Sequence, residues 1–247
     1  RRLGGAGITQ HARRRRNRSA ASRQLEQQGR GERVAGMAKD KASKAKEKKA
    51  RRKQETEAAQ ARLETIKNAY AVNPAEVMAA FDGRFAKEGL KAKLEWSEAD
   101  SLSEELKGTL RKALQANMAA VYAEDWAKAK GVKDKEMLEN DARYLFAYDT
   151  SVSGKETLAG FIQYRFVIEE EVEVLYIYEL QVLKDYQRKG LGKFIIMIIE
   201  GLARKAGMKG VMLTCQKRNQ AAYHFYKSIK YTEDAISPCN VDPYAGP

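Results

Sequence analysis

Cysteine and long apolar runs are scarce in this sequence, and each shortage excludes a class of protein. Its 247 residues include two cysteines, Cys215 in a predicted buried strand and Cys239 in a proline-containing tail. Two such cysteines offer neither a disulfide framework nor a metal-ligand set, so we predict a reducing compartment and no bound metal. No run reaches the roughly 20 apolar residues of a membrane span, so we expect no membrane partner.

Aromatic residues are also absent from the strongly basic N-terminal part, up to Tyr70. Residues 1–72 hold 21 Lys and Arg against 7 Asp and Glu, whereas residues 73–247 hold 25 against 26. Without aromatic stacking platforms, sequence-specific RNA recognition is not expected. The basic run is typical of a solvated segment or a nuclear-import signal, and contact with ribosome or chromatin through charge stays open.

Composition divides the chain into three predicted parts. Residues 1–36 are Arg-rich and nearly free of acidic residues, which is typical of a disordered extension, either an organellar transit peptide or a non-native segment. Residues 37–72 begin with Met37 and turn rich in Lys, Ala and Glu, which predicts a basic helical segment. Residues 73–247 have the composition of a folded domain.

The basic segment carries a short apolar face near its end. From about residue 46 to residue 70 the Ala, Glu, Lys, Arg and Gln content favours a solvated helix. Leu63, Ile66 and Tyr70 recur at a spacing of three and four residues, so they share one face of that helix. We expect this face to dock on the domain.

Apolar periodicity in the third part predicts strands mixed with helices. Strands are predicted at residues 90–96, 144–148, 158–168, 172–183 and 210–215, and helices at residues 74–81, after a capping box of Ser101 and Glu104, at residues 194–203 and after Asn219. The expected fold class is α/β, with helices and strands that follow one another in the order of an α+β fold. Its sheet is mixed and mostly antiparallel, and helices flank it in three layers.

A basic glycine turn lies between the last long strand and its apolar helix. It reads Gln187, Arg188, Lys189, Gly190, Leu191 and Gly192. Glycines let backbone N–H groups approach a phosphate, and the helix N-terminus and the two cations favour negative charge. The turn therefore predicts a pyrophosphate site, with an ordinary helix-initiating turn as the alternative.

A second motif follows the next strand, and together the two resemble a known family. Residues 219–226 read Asn-Gln-Ala-Ala-Tyr-His-Phe-Tyr. The order resembles the GCN5-related N-acetyltransferases (GNAT), whose signature is Gln/Arg-x-x-Gly-x-Gly/Ala followed by Asn-x-x-Ala-x-x-Phe-Tyr. The resemblance implies a GNAT acyltransferase fold with acetyl-CoA as co-substrate. Its expected cofactor-binding residues are Gln181, Val182, Leu183, Gln187, Arg188, Lys189, Gly190, Leu191, Gly192, Lys193, Phe194 and Asn219.

The resemblance becomes narrower over most of the chain after Met37. Blocks at residues 43–49, 164–166, 174–179, 188–194 and 211–214 are similar to the N-alpha-acetyltransferase D family, NatD. That family implies acetyl transfer from acetyl-CoA to the α-amino group of histones whose N-termini begin Ser-Gly-Arg-Gly. It also implies histone tails as partners and a location in nucleus and cytoplasm. We expect the protein to be a monomer.

The chemistry of amine acetylation points to one carboxylate. A free α-amino group has a pKa near 8, so at neutral pH most of it must lose a proton before it attacks a thioester. Glu179, flanked by Tyr178 on the strand before the glycine turn, is the candidate base, directly or through water. The alternative is a strand-edge carboxylate that faces solvent. The resemblance also assigns the matching Glu to catalysis.

Other roles rest on backbone groups or on the family pattern. A backbone N–H around residues 181–183 would polarise the acetyl group, while the CoA amide extends the sheet. Tyr226 occupies the general-acid position of the wider superfamily. Close NatD relatives have Phe there, so the alternative role of Tyr226 is packing alone. Asn219 either contacts the CoA arm or caps its helix.

The resemblance also supplies a set of substrate-binding residues. They are Tyr122, Trp126, Val167, Ile168, Glu169, Tyr176, Tyr178, Thr214 and Ser237. Tyr122 and Trp126 have helical spacing and could instead belong to the core. Val167 stands where NatD relatives place Asp, so either the anchoring charge falls to Glu169, Glu170 or Glu171 or the pocket differs. A solvated turn explains the three Glu residues equally well. The family continues into a closing strand after the point where this sequence ends at Pro247, so we expect a truncated domain.

Two further functions fit the same sequence. One is a GNAT enzyme that acetylates lysine or a small amine through the same cofactor site. The other is an inactive acyltransferase-fold binding module that the basic segment tethers to ribosome or chromatin. Intact Glu179, Gly190 and Gly192 argue against the inactive module.

Overall fold

The computed structural model describes residues 43–44, 46–234 and 237. The predicted extension at residues 1–36 therefore lies outside the described residues. The chain divides into two compact units, Arg1–Gln60 and Ala61–Pro247. In the first unit, residues 43–44 and 46–60 are helical and exposed, with ion pairs between Arg51 and Glu55 (3.2 Å) and between Lys53 and Glu57 (3.7 Å). Such pairs one turn apart support an exposed helix.

The second unit contains six helices and six strands among its described residues. The helices are α1 (residues 61–70), α2 (Pro74–Ala79), α3 (Glu104–Tyr122), α4 (Trp126–Glu136), α5 (Leu191–Lys205) and α6 (Gln220–Ser228). The strands are β1 (Arg84–Lys87), β2 (Leu90–Glu98), β3 (Arg143–Asp149), β4 (Thr157–Glu169), β5 (Val172–Val182) and β6 (Gly210–Leu213). The five predicted strands are confirmed as β2 to β6, whereas β1 and α4 were not predicted.

The six strands form one sheet in chain order. Neighbours from β1 to β5 are antiparallel, and β6 is parallel to β5. The predicted mixed, mostly antiparallel sheet is confirmed. Parallel strands need a crossover connection, and α5 supplies it between β5 and β6.

Hydrophobic cores lie on both faces of the sheet, as predicted for three layers. On one face α5 buries Ile195, Ile199 and Leu202 against residues that include Ile162 and Leu175. On the other face α3 packs Leu110 and Leu114 among aromatic residues of β3 and β4, namely Tyr144, Phe146 and Phe161. Strand residues alternate between the two cores because successive side chains point to opposite faces.

The predicted capping box was wrong by two residues. Ser101 belongs to a single 3-10 turn, Ala99–Ser101, and α3 begins later, at Glu104. The hydroxyl of Ser103 accepts a hydrogen bond from the backbone N–H of Leu106 (3.1 Å) and so caps the helix. A cap satisfies the N–H two or three positions into its helix, which fits Ser103 and not Ser101.

The predicted docking face of the basic segment is confirmed at two of its three residues. Ile66 and Tyr70 pack against the core beneath α5, whereas Leu63 is 61% exposed, so the prediction for Leu63 was wrong. The Tyr70 hydroxyl accepts from the Phe166 N–H (3.1 Å) and donates to its carbonyl (3.2 Å). Apolar packing of α1 is therefore limited to its last turns. Over the described residues, we find no helix with the length and apolarity needed to span a membrane.

Candidate active site

A β-bulge in β5 decides which way its polar side chains point. Tyr164 of β4 pairs with Ile177, but the adjacent Gln163 pairs with Glu179, so Tyr178 is an extra residue on β5. One extra residue reverses the alternation of faces beyond it. Before the bulge Leu175 and Ile177 face α5, and after it Leu180 and Val182 do. Glu179 and Gln181 are thereby placed on the α3 and α4 side.

Glu179 is buried and held by two donors. Its side chain is 6% exposed, which contradicts the alternative of a solvent-facing edge carboxylate. Lys133 Nζ from α4 lies 3.0 Å from Glu179 Oε1, and Gln181 Nε2 donates to Oε2 at 2.8 Å. Burial alone would lower the pKa of Lys133, but attraction to Glu179 and hydrogen bonds to Glu136 and Glu179 outweigh it and raise that pKa. Lys133 therefore carries its charge at neutral pH.

A second chain of hydrogen bonds fixes Gln181. Asn117 Nδ2 from α3 donates to Gln181 Oε1 (2.9 Å) and to the Val182 carbonyl (3.1 Å). Because the Gln181 oxygen accepts from Asn117, its amide nitrogen must face Glu179. Helix α3 thus orients the carboxylate through one intervening side chain.

The second half of β5 has an open edge. Strand β6 pairs with β5 only at residues 174–177, and β6 ends at Leu213. Along the described chain, no strand pairs with residues 178–182 on that side. The Leu183 N–H bonds the Ala159 carbonyl on the β4 side (2.9 Å), so by alternation the Val182 N–H points toward the open edge. An extended amide-bearing molecule can pair there.

The glycine turn has the geometry of an anion site. Gly190 precedes α5 with φ +86°, and Arg188 also has a positive φ of 63°, a left-handed region that glycine enters without cost. No side chain caps α5, and the Phe194 N–H is the first to bond back, to the Gly190 carbonyl (3.1 Å). The three preceding N–H groups of the helix have no intrahelical acceptor and can bind a phosphate.

The other predicted cofactor residues surround this turn in different ways. Gln187 Nε2 donates to the Val182 carbonyl (2.9 Å), and the Lys189 ammonium lies 5.8 Å from the Tyr186 ring centroid. Leu191 is fully buried and Phe194 packs on Phe85 of β1 at 5.3 Å between ring centroids. Because their side chains are packed against other residues, Leu191 and Phe194 can offer a cofactor their backbone N–H groups more readily than their side chains. Gly192 lets the ring of Phe225 approach, and Lys193 follows it on α5.

Asn219 and Tyr226 lie on opposite ends of α6. The Asn219 side chain accepts from the Ala222 N–H (3.1 Å), so it caps the helix, and its amide nitrogen lies 3.9 Å from Met118 Sδ on α3. Burial raises the pKa of Tyr226, and the nearby charge of Glu179 adds to the effect. A neutral phenol has a proton to donate.

Three of the predicted substrate residues come together beside Glu179. The rings of Tyr176 and Tyr178 lie 5.1 Å apart between centroids, and the hydroxyl of Tyr176 is 2.5 Å from the Thr214 hydroxyl. The guanidinium of Arg165 stacks over Tyr178 at 4.3 Å. Aromatic rings and hydroxyl groups thus lie together on the part of β5 that precedes Glu179.

The remaining predicted substrate residues lie in three other places. Tyr122 and Trp126 face each other at 6.0 Å where α3 gives way to α4. Val167, Ile168 and Glu169 form the far end of β4, opposite residues 172–174 of β5. In the acidic turn that follows, Glu171 forms an ion pair with Arg62 (3.2 Å), so this charge already has a partner. Ser237 follows α6, and its N–H bonds the Asp234 carbonyl (3.1 Å).

Sequence reasoning missed the side chains that hold Glu179. Lys133 lies on a polar helix with no buried residue, so nothing in its pattern separates it from a solvated lysine. Asn117 did carry a signal, because it interrupts the apolar face of α3 seven residues after Leu110 and three after Leu114. In the described part of the chain, no group of three or more acidic, His or Cys side chains is arranged to bind a metal ion.

The comparison with known proteins agrees with this geometry. The model of the Acetyltransferase (GNAT) family matches residues 104–231, more than half of the chain. The match includes Glu179, the open edge of β5 and the glycine turn, and it defines the protein as an acyltransferase. The chain belongs to the GNAT family of acetyltransferases, whose enzymes use acetyl-CoA.

Solved structures similar to the chain include three acetyltransferases. They are an aminoglycoside acetyltransferase from an uncultured soil metagenomic sample (20% identity, 58% of this chain and 90% of that chain, TM-score 0.42), a ribosomal-protein-alanine N-acetyltransferase from Brucella melitensis (16%, 58% and 93%, 0.42) and a putative acetyl transferase from Pyrococcus furiosus (18%, 58% and 96%, 0.45). The family assignment rests on the family match alone.

Proposed function

We propose that this acetyltransferase modifies the N-terminal α-amine of histones that begin Ser-Gly-Arg-Gly. The observation that carries the reaction is the buried Glu179 carboxylate, which contacts Lys133 next to the open edge of β5. The substrate is supported by the resemblance of residues 43–49, 164–166, 174–179, 188–194 and 211–214 to NatD. Histone tails as partners and a location in nucleus and cytoplasm belong to the same proposal.

The proposed transfer begins with a proton. The α-ammonium of the substrate loses its proton to the Glu179 carboxylate, directly or through water, and the freed nitrogen attacks the thioester carbon. The Val182 N–H stabilises the oxyanion that forms, since it points to the open edge. The C–S bond then breaks, the nitrogen loses its second proton to solvent to give the neutral amide, and the CoA thiolate takes a proton from solvent, directly or through Tyr226, which solvent then reprotonates. The net reaction releases one proton.

The base favours an α-amine over a lysine side chain. The α-amino group has a pKa of roughly 8 and lysine roughly 10.4, so deprotonation of the α-amine is easier by about two pH units. Among the described side chains at the site, the acidic and aromatic ones suit a cationic N-terminus. With Val167 in the place of the family's Asp, Glu169 and Glu170 are the proposed anchors for the Arg of the substrate.

A matched pair of peptides tests the proposal. Release of CoA is measured with Ser-Gly-Arg-Gly-Lys-Gly carrying a free α-amine and with the same peptide blocked at that amine. We expect release with the free peptide only. Equal release from the blocked peptide would favour the lysine or small-amine alternative, and bound acetyl-CoA without release from either would favour the inactive binding module.

A further inference from the structure

Glu179 does not stand alone in the site but is held between two helices. One carboxylate oxygen contacts Lys133 of α4 at 3.0 Å, and the other accepts from Gln181, which Asn117 of α3 holds in turn. Lys133 also contacts Glu136 Oε2 at 2.9 Å, so its ammonium bridges two carboxylates. The Lys133 side chain is 17% exposed, which makes this contact harder for solvent to screen than a surface pair.

The ionisable groups around Glu179 come from four elements. Helix α4 supplies Lys133 and Glu136, β3 supplies the phenol of Tyr144, and α6 supplies that of Tyr226. Arg165 of β4 donates to the Glu136 carbonyl at 2.6 Å on the same side of the sheet. Lys133 is thus the cation in direct contact with Glu179. Burial opposes the ionised form of a carboxyl group, and an adjacent cation restores it.

We propose that Lys133 is a positioning residue for acetyl transfer, which balances the charge of the Glu179 carboxylate and holds it in one orientation until a substrate amine arrives. The inference rests on the proposed function, in which Glu179 is the base. Lys133 has an amine of its own beside the carboxylate, but it remains an ammonium without a free electron pair. It therefore assists the base without competing with the substrate for the acetyl group.

Substitution at Lys133 tests the proposal through the pH dependence of turnover. In Lys133→Met the carboxylate loses the cation that offsets the effect of burial on its charged form. Turnover at saturating substrates should fall at least 10-fold at the acidic end of the profile and recover as pH rises.

Two further variants separate charge from structure. Lys133→Arg keeps the charge and should restore both the pH profile and most of the turnover. Lys135→Met changes an exposed lysine of the same helix and should match the wild type. Acetyl-CoA binding and circular dichroism identify variants that have lost the fold, and Lys133→Gln, which keeps a donor without charge, replaces Lys133→Met if the latter unfolds.

An unchanged pH profile of turnover in a folded, charge-free variant would overturn the role of Lys133. Loss of activity that Lys133→Arg does not restore, without a change in the pH profile, would also overturn it. A wild-type protein that acetylates no amine would refute the proposed function, and the role of Lys133 with it.

Discussion

The residue on which the proposed reaction depends most is Glu179. Replacement by Gln keeps the size and the hydrogen bond from Lys133 but removes the base, so we expect turnover to fall by about 10²- to 10⁴-fold. Acetyl-CoA affinity should stay unchanged because the glycine turn is untouched. Steady-state kinetics and calorimetric binding check both expectations. Glu173→Gln, a partly exposed carboxylate on the same strand, is the matched control. Unchanged turnover in Glu179→Gln would remove Glu179 as the base.

At this scale the sequence indicated the proposed base but not its surroundings. Glu179 could be found because a charged residue stands within an otherwise apolar strand next to the glycine turn. The orientation of Glu179 could not be predicted, because the bulge at Tyr178 depends on the register of β4 against β5. The contact between Lys133 and Glu179 forms only when α4 packs on the sheet. The local periodicity of the sequence therefore does not predict it.

Among the elements, the turn before α5 gives the clearest test of cofactor binding. Gly190→Ala places a Cβ at φ +86°, which costs roughly 1–2 kcal/mol and tilts the N–H groups that we expect to hold the phosphate. We expect at least a 10-fold weaker affinity for acetyl-CoA, measured by calorimetry. Gly207→Ala at φ +75° has similar strain beyond the far end of α5 and should leave that affinity unchanged. Equal losses in both variants would attribute the effect to stability.

The docking of α1 is a second element-scale test. Burial raises the pKa of Tyr70 to about 12, so its hydroxyl stays neutral and keeps both hydrogen bonds to Phe166. Tyr70→Phe should lower the free energy of unfolding by about 1–3 kcal/mol, measured by denaturant titration. Tyr223→Phe removes an exposed hydroxyl bonded to Glu233 and should change it by less than about 0.5 kcal/mol. If Tyr70→Phe left the free energy of unfolding unchanged, the docking of α1 through this hydroxyl would contribute little to stability.

Elements were predicted well where their pattern was long and apolar. Helix α5 and strands β4 and β5 have continuous buried faces, so their periodicity was sufficient. Strand β1 has four residues with one buried side chain, Phe85, and α4 has none, so neither has a periodic signal. The predicted cap of α3 was wrong for a related reason. A 3-10 turn before α3 moves the start of the helix, so the cap is Ser103 and not Ser101.

For the whole molecule, the separation of charge predicts how it meets polyanions. The basic excess lies in residues 1–72, while residues 73–247 are nearly neutral. A chain without residues 1–36 should elute from heparin at lower salt than the full chain, because fewer cations displace counterions. Its rate of acetyl transfer should be the same, since the proposed catalytic and cofactor-binding residues lie at residues 178–226. Equal elution salt would place the polyanion contact elsewhere.

The fold of the whole molecule was predictable from the order of its motifs, because strand, glycine turn, helix and strand restrict the possible topologies. The substrate was not, since an open sheet edge and a carboxylate serve many amines. Substrate choice therefore rests on the similarity to NatD and on the departure at Val167. That departure concerns the end of β4 and leaves Glu179 and the glycine turn as they are.

The most direct test is to locate the acetyl group on a reacted peptide. Ser-Gly-Arg-Gly-Lys-Gly is incubated with acetyl-CoA and the protein from Met37 onward, and the product is fragmented in a mass spectrometer. We predict a single acetyl group on the terminal amine. Acetyl on the lysine, or no product from a protein that binds acetyl-CoA, would contradict the account.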